Sequence, residues 1–165
     1  MFKSVALALA VAFGASAAQA KDDSVVTFGV GMYDLVSHRA HSFEGDFAVR
    51  SGYGVLGTDG VFRGLKLAGG AMFATNESMY GWAGLAAPFK FGRWEVEGSA
   101  GIGAYHKGKG LDLGGVFEFH LGLAASYALT DSTRIGVSIT HLSNAGSHRI
   151  NPGLNSALGT IGFNF

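Results

Sequence analysis

Along much of the chain, large apolar side chains recur at every second position. In SVVTFGVGMYDL, Val26, Phe28, Val30 and Met32 alternate with the small residues Thr27, Gly29 and Gly31. In GDFAVRSGYGV, Phe47, Val49, Tyr53 and Val55 alternate with Asp46, Arg50, Gly52 and Gly54. RWEVEGSAGIGAY separates Trp94, Val96, Ala100 and Ile102 from Glu95, Glu97, Ser99 and Gly101. VFEFHLGLAASY separates Phe117, Phe119, Leu121, Leu123 and Tyr127 from Glu118, His120, Gly122 and Ser126. Consecutive side chains of a strand point to opposite faces, so the pattern predicts strands with one apolar and one polar face. Such segments cover 24–34, 45–56, 60–74, 78–89, 93–106, 115–128, 132–143 and 155–165. The third and fourth alternate less cleanly, as a β-bulge would cause, and their facing stays open.

The connections alternate as well. GTDG, KFGR and LTDST are short, whereas VSHRAHSFE, HKGKGLDLGG and NAGSHRINPGLN are longer. Strands of this kind predict an all-β fold, an eight-stranded antiparallel transmembrane β-barrel with its short turns toward the periplasm. The polar face carries Arg50, Glu95, Glu97, Glu118, His120 and Arg134 among Gly, Ser and Ala, which suits a crowded lumen. A soluble lipid-binding barrel would reverse the faces, and alternation alone does not separate the two. The sparse charges favour the membrane form. The terminal GTIGFNF, closing on Phe165, resembles the assembly signal of bacterial outer-membrane proteins.

Composition is consistent with this picture. The chain has 27 glycines and 2 prolines. Residues 1–20, MFKSVALALAVAFGASAAQA, read as a secretory signal peptide cleaved after Ala20, which leaves 21–165 as a single β-barrel domain. After it, no apolar run approaches the length of a transmembrane helix. With no cysteine, neither a disulfide framework nor a thiol nucleophile is available. Twelve basic and 12 acidic residues balance, so nothing points to a nucleic-acid partner.

The candidate chemistry lies in HLSNAGSHRINPGLNS. Ile135, Val137 and Ile139 set the apolar parity of the seventh strand, and His141 and Ser143 continue it. Both are expected to point toward lipid near the outer-leaflet interface. Asn155 opens the apolar parity of the last strand, so three polar side chains converge on the upper outer wall. One reading is that they mark only the end of the apolar band, since membrane strands end in polar residues. The other is a base and nucleophile: i, i+2 residues share a face, roughly 6–7 Å apart at Cα, within hydrogen-bonding reach of each other. Elsewhere, His38 and His41 could ligate a metal, although loop histidines are more often simply solvated, and we expect no metal and no cofactor. The glycines of GVGMYD and GIGAYHKGKG superficially resemble phosphate loops but lack a following helix. Lys107, Lys109, His148 and Arg149 in the outer loops could meet anionic headgroups.

An exported small barrel whose seventh strand ends in HLSNAG, followed by NPGLNS and a final strand closing on an aromatic, resembles the PagL family of outer-membrane lipid A 3-O-deacylases. The H-x-S-N-A-G element is the specific part. The resemblance implies a Ser-His-Glu triad that hydrolyses the ester-linked acyl chain at position 3 of lipid A in the outer leaflet, with His141 as base and Ser143 as nucleophile. It further implies an oxyanion role for Asn144. Where the family pattern has an acidic residue, this chain has Asn155, which the resemblance puts in the place of the triad's third member. Glu97 and Glu118 fall on the luminal parity, whereas Asp112 and Glu77, in outer loops, remain candidates to assist. Lipid A is then the substrate, the outer membrane the location, and a homodimer is left open. The alternative is a non-catalytic outer-membrane barrel with a structural or adhesive role.

Overall fold

The computed structural model describes residues 24–56 and 60–165. The expected signal peptide lies outside them. Eight strands follow in order: β1 (Val25–Tyr33), β2 (Ser42–Leu56), β3 (Leu65–Ala74), β4 (Met79–Phe91), β5 (Trp94–His106), β6 (Phe117–Ala128), β7 (Thr133–Ser143) and β8 (Leu154–Asn164). Each pairs antiparallel with its sequence neighbours, and β1 pairs with β8, so the sheet closes into a barrel. Closure removes the unpaired edges, as a strand structure in hydrocarbon requires. Short connections at 92–93 and 129–132 occupy one end. At the other end lie the loops 34–41, 107–116 and 144–153, together with a short turn at 75–78.

The alternation carries through to facing. Val30 is 73% exposed and Val137 62%, and Phe28, Phe47, Ile102, Leu121 and Ile139 also point outward. The inward set includes a paired charge cluster. Arg50 Nη1 donates to Glu95 at 2.8 Å and also bonds Glu97, while Arg134 Nη1 donates to Glu95 at 2.5 Å. Removing one member of such a cluster would strand a buried charge, at a cost of about 3–5 kcal/mol. Further up, the Trp82 and His120 rings stack at 3.8 Å. Between these groups lies a luminal cavity of about 120 Å³ that Arg50, Glu95, His120 and Ser138 help to line.

The structure settles the facing of β3 and β4, which alternation left open, and moves the start of β3. In β3 and β4 the odd residues Leu67, Phe73, Met79, Leu85 and Phe89 face out, while Lys66, Met72, Tyr80, Trp82 and Ala86 are buried. The irregular register is in the β2–β3 pairing, between Arg50 and Leu56, and β4 pairs regularly on both sides. The large aromatics Tyr80 and Trp82 fill the lumen and Gly81 and Ala83 face outward, which inverts the size pattern of the other strands. Gly103 makes room for this, since a Cβ there would lie 2.6 Å from the Tyr80 ring. Strand β3 also begins at Leu65 rather than residue 60. Gly64 takes φ 82 and breaks the run, and before it Phe62 forms an isolated bridge to Phe89.

At the long-loop end, Tyr33 and Tyr105 share a hydroxyl hydrogen bond of 2.6 Å. Tyr105 donates to Leu111 O at 2.8 Å, and Leu111 N–H donates to Tyr33 at 3.0 Å. This buried knot joins β1, β5 and the loop 107–116 beneath the rim.

Candidate active site

Strand register assembles the candidate residues. His141 lies opposite Asn155 in the β7–β8 pairing and opposite Leu121 in the β6–β7 pairing. Directly opposed residues share a face, so the imidazole and the carboxamide meet on the outer wall. The distance from His141 Nδ1 to Asn155 Oδ1 is 2.9 Å. An amide oxygen only accepts, so Nδ1 carries the proton, and Nε2 of the neutral ring is left as the acceptor.

Gly153 fixes the other side of the ring. It adopts φ +68, and a Cβ there would stand 2.9 Å from His141 Cε1. The left-handed backbone turns the chain into β8, and the missing side chain lets the imidazole lie against it. No pattern of hydrophobic periodicity reports this contact. The only trace in the sequence is the Asn-Pro-Gly turn ahead of Asn155.

Ser143 ends β7 on the outward parity, half-buried, opposite Phe119. Its Oγ makes no hydrogen bond among the described residues, to His141 or to any other group. The chain then turns sharply through Ala145 and Gly146, at φ 52 and φ 79.

Asn144 is buried and committed. Its Nδ2 donates to Leu113 O at 2.6 Å and Ile150 O at 2.9 Å, and its Oδ1 accepts from Gly146 N–H at 3.0 Å. Its backbone N–H donates to Asn151 Oδ1 at 3.1 Å. The residue expected at the oxyanion position therefore holds two loops together through its side chain.

No carboxylate among the described residues hydrogen-bonds His141. Asp112 pairs with Lys107 at 3.2 Å, and Glu77 pairs with Lys109. The Gly114 N–H, and then Lys107, hold the Asp112 carboxyl below the usual range. Glu97 bonds Arg50, and Glu118 is fully buried in the lumen. Among the described residues, Asn155 is the side chain hydrogen-bonded to His141. No group of three or more His, Cys, Asp or Glu suited to a metal occurs among the described residues, although His38 Nδ1 lies 2.7 Å from His41 Nε2.

Below Asn155, the outward residues of β8 are Ala157 and Gly159, and a Cβ at Gly159 would meet nothing within 4 Å. Their neighbours are the larger Ile139 and Val137 on β7 and Met32 and Val30 on β1. The result is an apolar trough one strand wide, leading down from the polar triplet.

A family profile described as PagL, lipid A 3-O-deacylase, matches residues 11–164. The chain belongs to the PagL family. Its fold is similar to the solved structure of the outer-membrane enzyme PagL, with TM-score 0.62 and 18% identity, over 84% of this chain and 97% of that one. A designed transmembrane β-barrel matches with TM-score 0.56 and 11% identity, over 88% of this chain and 98% of that one. Neisserial surface protein A matches with TM-score 0.54 and 13% identity, over 86% and 95%. No curated protein matches the chain. Membership of the PagL family makes this outer-membrane barrel a lipid A 3-O-deacylase, an ester hydrolase.

Proposed function

We propose that the protein deacylates lipid A as a serine esterase, with Ser143 as nucleophile, His141 as general base and Asn155 as the group that orients the imidazole. The observation that carries this reading is the 2.9 Å bond between His141 Nδ1 and Asn155 Oδ1, which leaves Nε2 basic on the wall that Ser143 also faces. Nε2 takes the Ser143 hydroxyl proton as Oγ attacks the ester carbonyl. The tetrahedral intermediate collapses, and the imidazolium protonates the departing glucosamine hydroxyl. Water, deprotonated by the same nitrogen, then releases the fatty acid from the acyl-serine.

Asn155 orients the ring but supplies no charge to the imidazolium, unlike the family's Glu. Asn144 stays the candidate oxyanion residue beside the nucleophile. Because its donors are held by Leu113, Ile150 and Asn151, stabilising an oxyanion through it requires releasing one of those bonds. The trough over Ala157 and Gly159 suits the scissile acyl chain, since both are apolar and the trough opens directly below the triplet.

Mass spectrometry of lipid A from cells making the wild type or Ser143→Ala tests the reading. Loss of the 3-linked acyl chain with the wild type alone is the expected result. Equal deacylation by the variant would remove Ser143 from the chemistry.

A further inference from the structure

The rim of the barrel is electrostatically lopsided, although the chain as a whole is neutral. Above β3 to β6, the cations are neutralised locally: Lys107 by Asp112 at 3.2 Å, and Lys109 by Glu77. Above β7, β8 and β1 they are not. Residues 144–155 contain no Asp or Glu, and residues 34–41 contain Asp34 alone. Asp34 is buried and spent within its own loop, accepting from Ser37 Oγ at 2.5 Å and from the Arg39 and Ala40 backbone N–H groups at 2.8 Å each. Arg39 and Arg149 are exposed, and among the described residues neither guanidinium has a carboxylate partner.

Both loops are tied to the site. Leu35 N–H donates to Asn155 O at 2.8 Å, which seats the loop 34–41 on the residue that orients His141. On the other side, Asn144 grips Ile150 O at 2.9 Å, next to Arg149 and one residue after Ser143. His148, itself exposed, lies against Gly115 of the neighbouring loop, where a Cβ would come within 2.1 Å of its Nε2. Within loop 34–41, His38 and His41 hydrogen-bond each other. The permanent charges left facing outward are the two arginines, one on each side of β8.

We propose that Arg39 and Arg149 form a phosphate-binding edge that reads the anionic headgroup of the glycolipid whose ester is presented to Ser143. This rests on the deacylase reading of the same site and adds a recognition element to it. Guanidinium is planar, stays charged and matches phosphate oxygens two at a time, and these bonds are strong where the headgroup layer limits water. Tethering both loops to Asn144 and Asn155 fixes the arginines relative to the nucleophile, so phosphates gripped there would set which ester reaches Ser143.

Binding to the refolded full-length protein in zwitterionic micelles tests this, in a Ser143→Ala background so that turnover does not consume the ligand. The probes are bisphosphorylated lipid A, the same lipid dephosphorylated, and inorganic phosphate. Phosphorylated lipid A should bind at least about tenfold more tightly than the dephosphorylated form. The pair Arg39→Gln and Arg149→Gln should erase that preference, while Lys107→Gln with Lys109→Gln should keep it. Heat-dependent migration confirms that each variant forms the barrel. Equal binding of the two lipids, or a preference that survives loss of both arginines, overturns the proposal. Displacement of lipid A by an equal concentration of inorganic phosphate overturns the headgroup assignment in favour of a free-ion site. Wild-type deacylation, assayed alongside, stands apart: its absence would remove the esterase reading, while the binding preference would still decide the role of the rim.

Discussion

His141 and Asn155 lie opposite each other across the β7–β8 pair and share a 2.9 Å hydrogen bond on the outer wall of the barrel. The contact joins two strands directly, and Gly153 and Leu35 of the neighbouring loops pack on its two members. Strand register sets the pairing, and a slip of one residue would turn one partner into the lumen.

Ser143→Ala and His141→Ala are each expected to lower deacylation by roughly 10⁴-fold or more while the barrel still assembles, because both residues are half-buried on the outer wall. The double variant should be no worse than either single one, since nucleophile and base act as a unit. Steady-state rates on lipid A micelles check this. Multiplicative losses would mean that the two residues act separately.

Asn155→Ala should reduce kcat by roughly two- to tenfold, the worth of one ordinary hydrogen bond. Asn155→Glu should raise kcat above the wild type by placing a charge beside the imidazolium. A glutamate variant slower than the wild type would show that the site is built around the amide.

Gly153→Ala should leave assembly intact and lower kcat about tenfold or more. The new Cβ would stand 2.9 Å from His141 Cε1, on a backbone at φ +68 that disfavours side chains. Rates and heat-dependent migration measured together check this. Unchanged kcat would mean that the ring does not need its present orientation.

Val137→Arg should impair insertion by about 2–4 kcal/mol, because Val137 faces lipid, whereas Ser138→Arg should be tolerated better, because Ser138 lines the luminal cavity. Folding yield in vesicles reads the difference. Equal yields would contradict the assignment of faces.

Asp34 offers a pH test of the loop that carries Arg39. Burial pushes its carboxyl up, but hydrogen bonds from Ser37, Ala40 and Arg39 outweigh that and leave it below 3.8. Its folded value is thus lower than its unfolded one. The stabilisation is present above that unfolded value and is lost as pH falls through the folded one. The Arg39 and Ala40 amides should be protected from hydrogen exchange at about pH 5 and lose protection well below 3.8, and Asp34→Asn should lose it already at about pH 5. Protection that ignores both changes would remove Asp34 as the organiser of the loop.

The alternation in β1, β2, β5, β6 and β7 is enough to sort residues onto two faces, because the pleat ties side-chain direction to sequence parity whatever the neighbours are, and the sparse charges of the polar face then assign the apolar face to lipid. It also placed His141, Ser143 and Asn155 on the outer wall, and the H-x-S-N-A-G element pointed to the family. In β3 and β4 the same logic was silent. Gly and Ala occupy both parities there, and only the space inside the closed barrel, filled by Tyr80, Trp82 and His120, decides that the aromatics turn inward. The contacts that shape the site were equally out of reach of the sequence. Gly153 against His141, Leu35 on Asn155, and Asn144 turned in to grip Leu113 and Ile150 all join residues through loop paths and barrel closure. Parity is a property of one strand and can be read along the chain. Such contacts are properties of several segments at once, and exist only when the last strand has paired with the first.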